Sequence, residues 1–350
     1  MVAGMELADD LVLPRIRCAA VHGSTGADPG GSAPVWDAVL VVEVPLPWGR
    51  DICMSAPYSA LVDTPSATID GADGRRWRPQ GVVPPRSGDA GSHDRQPVEH
   101  TRVMAFERPA GGTGPFTRRE WLLAATAGSE EVAGLCTALL SAEPGQVAAF
   151  DAWRDDAPAG TVDLLMCTHG SRDVCCGGSG AAAFHELVGR LGAEHVDGVR
   201  LWRTSHAGGH RFAPTAISLP DGYSWAHLTA SVAEQVVRRQ GEAAEVVPHC
   251  RGCVTVDGAP AQMADREALG ELGWEWLGAE RRAVVVAHER DTLATTVDVT
   301  GALAGRGVVG VSVRVELDRH IAMPTCGVVD GPEFATEPVW RAAKVERLAC

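Results

Sequence analysis

The segment Val162–Leu191, with the sequence VDLLMCTHGSRDVCCGGSGAAAFHELVGRL, decides the fold of this chain. It begins with an apolar run, Val162–Met166, that only one charged residue interrupts, which is typical of a buried central strand. A glycine-rich loop follows, and apolar residues then recur from Phe184 to Leu191 at the three- and four-residue spacing of a helix. The segment therefore predicts a strand, a loop and a helix that packs one apolar face on a sheet.

The residues that follow predict three further strands. Val199–Trp202 has the composition of a strand, and Pro220-Asp221-Gly222 separates Thr215–Leu219 from Tyr223–Leu228, which is a hairpin signal. Ser231 and Glu234 then resemble a capping box that opens a helix over residues 232–239. The resulting order, β-α-β-β-β-α, is that of a thioredoxin-like α/β layer.

Elements on either side of this layer predict an α+β protein of three parts. Strands are expected at 38–44 and 102–107 and a helix at 130–140, and then a helix at 262–272 and strands at 283–288, 293–299 and 308–317. We expect an N-terminal α+β part at 1–157, a thioredoxin-like domain at 158–245 and a small C-terminal α+β unit at 246–350. No internal repeat is visible.

The charge and hydropathy of the chain argue against two classes of partner. The 350 residues hold 31 basic and 45 acidic side chains, a formal charge of −14, and no basic run. Nucleic acids and anionic membranes need clustered arginine and lysine, so neither is expected as a partner.

The N-terminal residues 1–14 mix acidic and apolar residues unlike a secretory signal, and no stretch reaches the length of a membrane span. We expect a cytoplasmic protein.

Four residues in two segments predict a metal site. Cys167 ends the buried strand and Cys176 precedes the helix, where the helix dipole favours a thiolate. His206 and His210 follow the next strand, separated by Ala-Gly-Gly, so they belong to a tight loop rather than to a helix face. Two adjacent glycines let the backbone bend closely around a ligand. The two cysteines and two histidines are therefore expected to meet at one edge of the sheet.

The residue chemistry leaves the metal open between an iron–sulfur cluster and zinc. Two Cys and two His also form structural zinc sites, which usually pair their cysteines two to four residues apart. The eight residues between Cys167 and Cys176 suit a wider, two-iron group better. A Rieske centre fits less well, because each of its segments contributes one cysteine and one histidine.

Two segments closely resemble the sucrase/ferredoxin-like family, which is related to thioredoxin-like [2Fe–2S] ferredoxins. Cys167–Cys176 carries C-T-H-G-x-R-D-x-C-C, and Ser205–Pro214 carries S-H-x-G-G-H-R-F-A-P, both without a departure. The resemblance strictly covers about residues 160–230, with looser similarity around residues 47–51 and weak similarity over the last hundred residues.

The resemblance implies a [2Fe–2S] cluster with Cys167 and Cys176 on one iron and His206 and His210 on the other. Cys176 rather than Cys175 is the ligand by this match alone. With two thiolates instead of four, the cluster would be less negative and easier to reduce, as histidine ligation is in Rieske centres. A ligating imidazole can also lose its second proton, so we expect one-electron transfer coupled to a proton.

Other residues near these motifs are expected to support the site or the fold. Cys175, His169, Arg172 and Arg211 are expected to surround the ligands and hold their loops. Cys250-Arg251-Gly252-Cys253 precedes a strand rather than a helix, which argues against thiol–disulfide activity. The remaining cysteines and three histidines are expected to be plain structural residues: Cys18, Cys53, Cys136, Cys326, Cys350, His185, His195 and His227.

The function expected from the sequence is electron transfer or redox sensing, with a redox partner protein. The chain is more readily an electron carrier than an enzyme, because no pair of carboxylates stands out for glycoside hydrolysis. A zinc-stabilised binding module without redox activity is the alternative. The electron donor and acceptor, any small-molecule substrate and the oligomeric state are not specified by the sequence.

Overall fold

The computed structural model describes residues 17–85, 100–109, 112–192, 198–322 and 336–349. Within them a large mixed sheet and a separate four-stranded antiparallel sheet are flanked by helices, which confirms the predicted α+β class. Cys326, Cys350 and His195, named above, lie outside the described residues, as does most of the turn-rich stretch 84–100.

The strands, in chain order, are β1 Ala38–Glu43, β2 Ile69–Asp70, β3 Arg76–Val83, β4 Thr101–Glu107, β5 Thr117–Leu123, β6 Val162–Cys167, β7 Val199–Thr204, β8 Ala216–Leu219, β9 Tyr223–Trp225, β10 Cys250–Cys253, β11 Arg281–Glu289, β12 Ala294–Leu303, β13 Gly307–Ala322 and β14 Thr336–Arg347. The α-helices are α1 Cys18–Ser24, α2 Glu130–Leu140, α3 Pro144–Ala148, α4 Ala181–Leu191, α5 Ala230–Arg238 and α6 Ala259–Leu272.

The centre of the large sheet contains the elements predicted from the sequence, in the predicted order along the chain: β6, α4, β7, β8, β9 and α5. β6 lies between β7, to which it is parallel, and β8, to which it is antiparallel, and β9 pairs antiparallel with β8. Because all six residues of β6 are buried, the strand reads as an almost unbroken apolar run. The predicted helix face is also present, since Phe184, Leu187 and Leu191 of α4 are buried in one cluster with Leu164.

The large sheet continues without interruption into the N-terminal part. Beyond β7 the order is β3, β1, β4 and β5, with β2 paired to β3, and beyond β9 the edge strand is β10. β3 joins β7 through the pairs Val82–Thr204 and Val83–Arg203. The strand ends that carry the metal motifs are therefore neighbours within a single sheet.

The start of α5 differs from the sequence prediction. The cap is Thr229, whose extended backbone lets Oγ1 accept a hydrogen bond from the N–H of Val232 at 3.2 Å, whereas Ser231 is already inside the helix. The predicted capping box at Ser231 and Glu234 is therefore wrong, because a cap residue must lie outside the helical backbone.

The C-terminal sheet β11–β14 shares its core with the large sheet through α6. α6 begins three residues before the predicted helix, with Pro260 in its first turn, a position that suits proline. Met263 and Leu269 of α6 belong to one buried cluster that runs from Leu164 in β6 to Val313 in β13. The domain bounds given above stay a prediction. No helix in the described ranges is long and apolar enough to span a bilayer.

Candidate metal centre

The loop after β6 folds back tightly and brings two cysteines together. Cys167 is the last residue of β6, and Cys176 begins a π-helical turn that leads into α4. A Cβ atom at Gly177 would collide with the backbone of Gly170, and one at Gly180 with the carbonyl oxygen of Cys167. Glycine at 177 and 180 therefore permits the close approach that sets Cys176 beside the end of β6.

The loop after β7 supplies the histidines and has the tight form expected of it. Gly208 and Gly209 adopt φ values of +88° and +70°, and a short 3₁₀ helix then begins at His210. A Cβ atom at Gly209 would lie 2.7 Å from Cζ of Arg251, so the loop lies directly on that guanidinium. The positive φ values favour glycine at both positions, and the contact with Arg251 also leaves no room for a side chain at position 209.

Three of the four predicted ligands meet in one buried group. The sulfurs of Cys167 and Cys176 and one ring nitrogen of His206 all lie within 4.8 Å of one another. Both cysteines are almost fully buried, and His206 is partly buried. Nδ1 of His206 is enclosed and has no hydrogen-bond partner among the described residues. Because buried polar atoms rarely lack a partner, this nitrogen points to a group that binds there.

His210 lies next to this group and contacts different residues. Its Nδ1 is 2.9 Å from Oδ2 of Asp173 and 3.0 Å from Sγ of Cys18, and its ring centroid is 6.2 Å from that of His206. A hydrogen on Nδ1 donated to the Asp173 carboxylate leaves the lone pair on Nε2. Carboxylates orient metal-binding histidines in this way.

A second group of donor atoms lies beside the first. Cys18, Asp173 and Cys175, all buried, have ligand atoms within 4.8 Å of one another, and the sulfurs of Cys18 and Cys175 are 3.8 Å apart. Cys18, expected from the sequence to be a plain structural residue, instead lies against His210. No local signal could have revealed this, since the contact joins residues far apart in the chain and depends on the packing of α1.

The thiols of Cys167 and Cys176 have pKa values shifted in opposite directions. The pKa of Cys167 lies well below the usual thiol value, first because the Cys176 thiol donates a hydrogen bond to it and further because His206 does so. The pKa of Cys176 is raised for the same reason, with burial adding to the effect. Of the two thiols, Cys167 therefore loses its proton more readily, and the thiolate is the form that binds metals.

His169 links the two ligand-bearing loops to the N-terminal part of the chain. Its Nδ1 accepts a hydrogen bond from the backbone N–H of His206 at 3.0 Å, and its Nε2 lies 2.7 Å from the carbonyl oxygen of Gly49. The Nε2 hydrogen then donates to Gly49, and burial lowers the pKa of the ring, which keeps it neutral. His169 also packs edge-on against Trp48.

The arginines that flank the motifs are engaged in ion pairs. Arg172 lies 2.7 Å from the carboxylate of Asp51, and Arg211 pairs with Glu337, which His22 also contacts. Arg172 ties the loop after β6 to the segment around residue 51. Arg211 ties the histidine loop to the start of β14.

Cys250 and Cys253 lie apart from these groups, within β10. Both are fully buried, and burial raises the pKa of each thiol. A raised pKa disfavours the thiolate that disulfide exchange requires. Cys253 instead contacts Thr255 at 3.0 Å and Arg281 at 3.2 Å.

The donor chemistry of the first group fits a metal. Two thiol sulfurs and one imidazole, buried and clustered, suit zinc or an iron–sulfur group far better than magnesium or calcium, which prefer oxygen ligands. The fold and the site together define an α+β protein with a buried cysteine–histidine group that can hold a metal.

A comparison with known families agrees with the motifs. The sucrase/ferredoxin-like family model matches residues 29–252, well over half of the chain. The chain therefore belongs to the sucrase/ferredoxin-like family. The match extends from before β1 to β10 and leaves out α6 and the C-terminal sheet. No curated protein and no solved structure matches the chain.

Proposed function

We propose that this chain binds a [2Fe–2S] cluster through Cys167, Cys176, His206 and His210 and carries single electrons. The observation that supports this most is the buried group of Cys167, Cys176 and His206, in which Nδ1 of His206 has no hydrogen-bond partner in the described part of the chain. The family description, which includes ferredoxin, points the same way.

Each ligand has a part in this proposal. Cys167 and Cys176 would bind one iron as thiolates and together cancel the positive charge of the oxidised two-iron, two-sulfide core, and His206 and His210 would bind the other iron as neutral imidazoles. His210 donates its Nδ1 hydrogen to the Asp173 carboxylate, which fixes the ring and leaves Nε2 to bind iron. When bound, the cluster supplies one-electron oxidation and reduction. The chain is then an electron carrier that meets a redox partner protein in the cytoplasm.

Histidine ligation also couples the electron to a proton in this proposal. The reduced state is more negative and binds a proton on an imidazole more tightly, so the reduction potential should fall as the pH rises through the histidine pKa of the oxidised state. Voltammetry between about pH 6 and about pH 10 tests this coupling, and a flat potential over that range would refute it.

Alanine variants of the two histidines test the ligand set. We expect His206→Ala and His210→Ala each to change the visible spectrum of anaerobically purified protein, because each removes an iron ligand. His185→Ala is the matched control, since His185 is exposed on α4. Spectra of both ligand variants that match the wild type would rule out histidine ligation.

A zinc-stabilised binding module is the second candidate. It is favoured by the short distances within the Cys167, Cys176 and His206 group, which also suit one tetrahedral ion. Colour separates the two candidates: an iron–sulfur protein absorbs visible light, whereas a zinc protein is colourless.

A further inference from the structure

Two arginines from different strands donate hydrogen bonds to the backbone of the histidine loop. Arg78, from β3, donates through Nη2 to the carbonyl oxygen of His206. Arg251, from β10, donates through Nη1 to the carbonyl oxygen of Gly208 at 3.2 Å. Gly209 also lies on the Arg251 guanidinium. Both cations are therefore next to the loop that contains His206 and His210.

Neither arginine forms an ion pair with a carboxylate in the described residues. Arg78 otherwise donates to the carbonyl oxygen of Ala67, and its enclosed Nε has no partner within the described ranges. Arg251 is only 3% exposed and otherwise donates to the backbone and hydroxyl of Ser32 and to the hydroxyl of Ser224. Burial lowers the pKa of Arg78 to about 10 and that of Arg251 to about 9, so both stay charged at neutral pH.

Two other buried or partly buried arginines in the described part of the chain are paired with acidic residues. Arg200 binds both Glu120 and Asp163, and Arg266 binds Asp28. Among carboxylates, Asp51 raises the pKa of Arg78 and Glu337 raises the pKa of Arg251. Each carboxylate already pairs with another arginine, Asp51 with Arg172 and Glu337 with Arg211. A buried cation without a counterion is costly, and Arg251 is buried while Arg78 is partly buried, so both arginines favour added negative charge close to the histidine loop.

We propose that Arg78 and Arg251 are positioning residues whose fixed positive charges stabilise the reduced cluster and so raise its reduction potential. The inference rests on the proposed function. One added electron makes the bound group more negative, and a cation held nearby in a low dielectric favours that state. The negative charge that acts on Arg78 includes the Cys167 thiolate.

Charge-removing and charge-keeping variants separate this role from simple loop support. We expect Arg251→Gln and Arg78→Gln each to lower the reduction potential, whereas Arg251→Lys and Arg78→Lys stay close to the wild type at pH 6, where the lysines are protonated. Arg190→Gln is the control, because it removes a surface charge that pairs with Glu234 on α5. Iron and sulfide content and thermal unfolding are measured for every variant.

Two results would overturn the inference. One is an unchanged potential in both glutamine variants with full iron and sulfide content. The other is an equal fall in the glutamine and lysine variants, which would mean that the arginine geometry, not its charge, matters. If one glutamine variant does not retain its cluster, the reduction potentials of the other glutamine variant and of the two lysine variants are judged by the same criteria. Wild-type protein without iron and sulfide would instead refute the proposed function.

Discussion

At the scale of single residues, the candidate site depends both on glycines inside its two motifs and on side chains that reach it from elsewhere in the fold. The Gly-Gly pair between the histidines predicted a tight loop because glycine adopts positive φ readily, and both glycines do so. The partners of His210 were not predictable, because Cys18 reaches it only through the packing of α1. Arg78 and Arg251 were missed for the same reason, since each comes from a strand outside the two motifs.

The choice between Cys175 and Cys176 is also made at this scale. Spacing alone could not separate two adjacent cysteines, whereas Sγ of Cys176 lies with Cys167 and His206, and Sγ of Cys175 lies with Cys18. We expect Cys176→Ala to lose the visible spectrum and most of the iron, and Cys175→Ala to keep both. Iron retention in Cys176→Ala together with iron loss in Cys175→Ala would reverse the assignment.

At the scale of elements, apolar patterns predicted many of the helices and strands, but several whole elements were missed and other errors lie at element ends. The missed elements are the strands β2, β3, β5, β10 and β14 and the helices α1 and α3. α2 spans the predicted residues 130–140, whereas α6 starts earlier and the cap of α5 lies two residues before the predicted one. Caps depend on local backbone angles that apolar periodicity does not encode. The segment between β9 and α5 is such a case, because His227 adopts φ +50° there.

His227 makes the stability of this junction depend on pH. Its ring packs against Phe212 and lies near His22, and burial, followed by the charge of His22, lowers its pKa from 6.5 to about 4. Between these values the unfolded chain binds a proton that the folded chain does not, so the free energy of unfolding falls as the pH drops from 6.5 towards 4. We expect a loss of about 1–2 kcal/mol, allowing for partial exposure of the ring.

The comparison of His227→Gln with wild type isolates this contribution from other titrating groups. Urea unfolding at several pH values should show a shallower loss of stability on acidification in His227→Gln than in wild type. The exposed His185→Gln variant should follow the wild type. Parallel pH profiles for His227→Gln and wild type would contradict the account.

At the scale of the whole molecule, the α+β class was predictable from the succession of apolar patterns, but the joining of its parts was not. The sheet runs from β5 to β10 across the predicted boundary at residue 157, through the pairing of β3 with β7. Pairing between strands far apart in sequence leaves no local pattern. A buried polar network around Asp265 of α6 likewise connects the large sheet to the C-terminal sheet.

Removal of Asp265 should destabilise the whole chain. Its carboxylate accepts hydrogen bonds from Tyr223 of β9 at 2.7 Å and from Trp276 at 3.0 Å, and it lies 3.4 Å from Arg281 of β11. We expect Asp265→Ala to lose about 3–5 kcal/mol, because the Arg281 cation stays buried without its partner. Tyr223→Phe, which removes one hydrogen bond, should cost about 1–2 kcal/mol. Similar losses in the two variants, measured by chemical denaturation, would show that the ion pair is not what stabilises the junction.

The metal content of the protein tests the central claim most directly. Iron, acid-labile sulfide and zinc are assayed on protein purified without oxygen, together with its visible absorption spectrum. We predict about two irons and two sulfides per chain and a reddish-brown colour, as a [2Fe–2S] group requires. A colourless protein that holds about one zinc and no sulfide would contradict the proposal and establish the zinc-stabilised alternative.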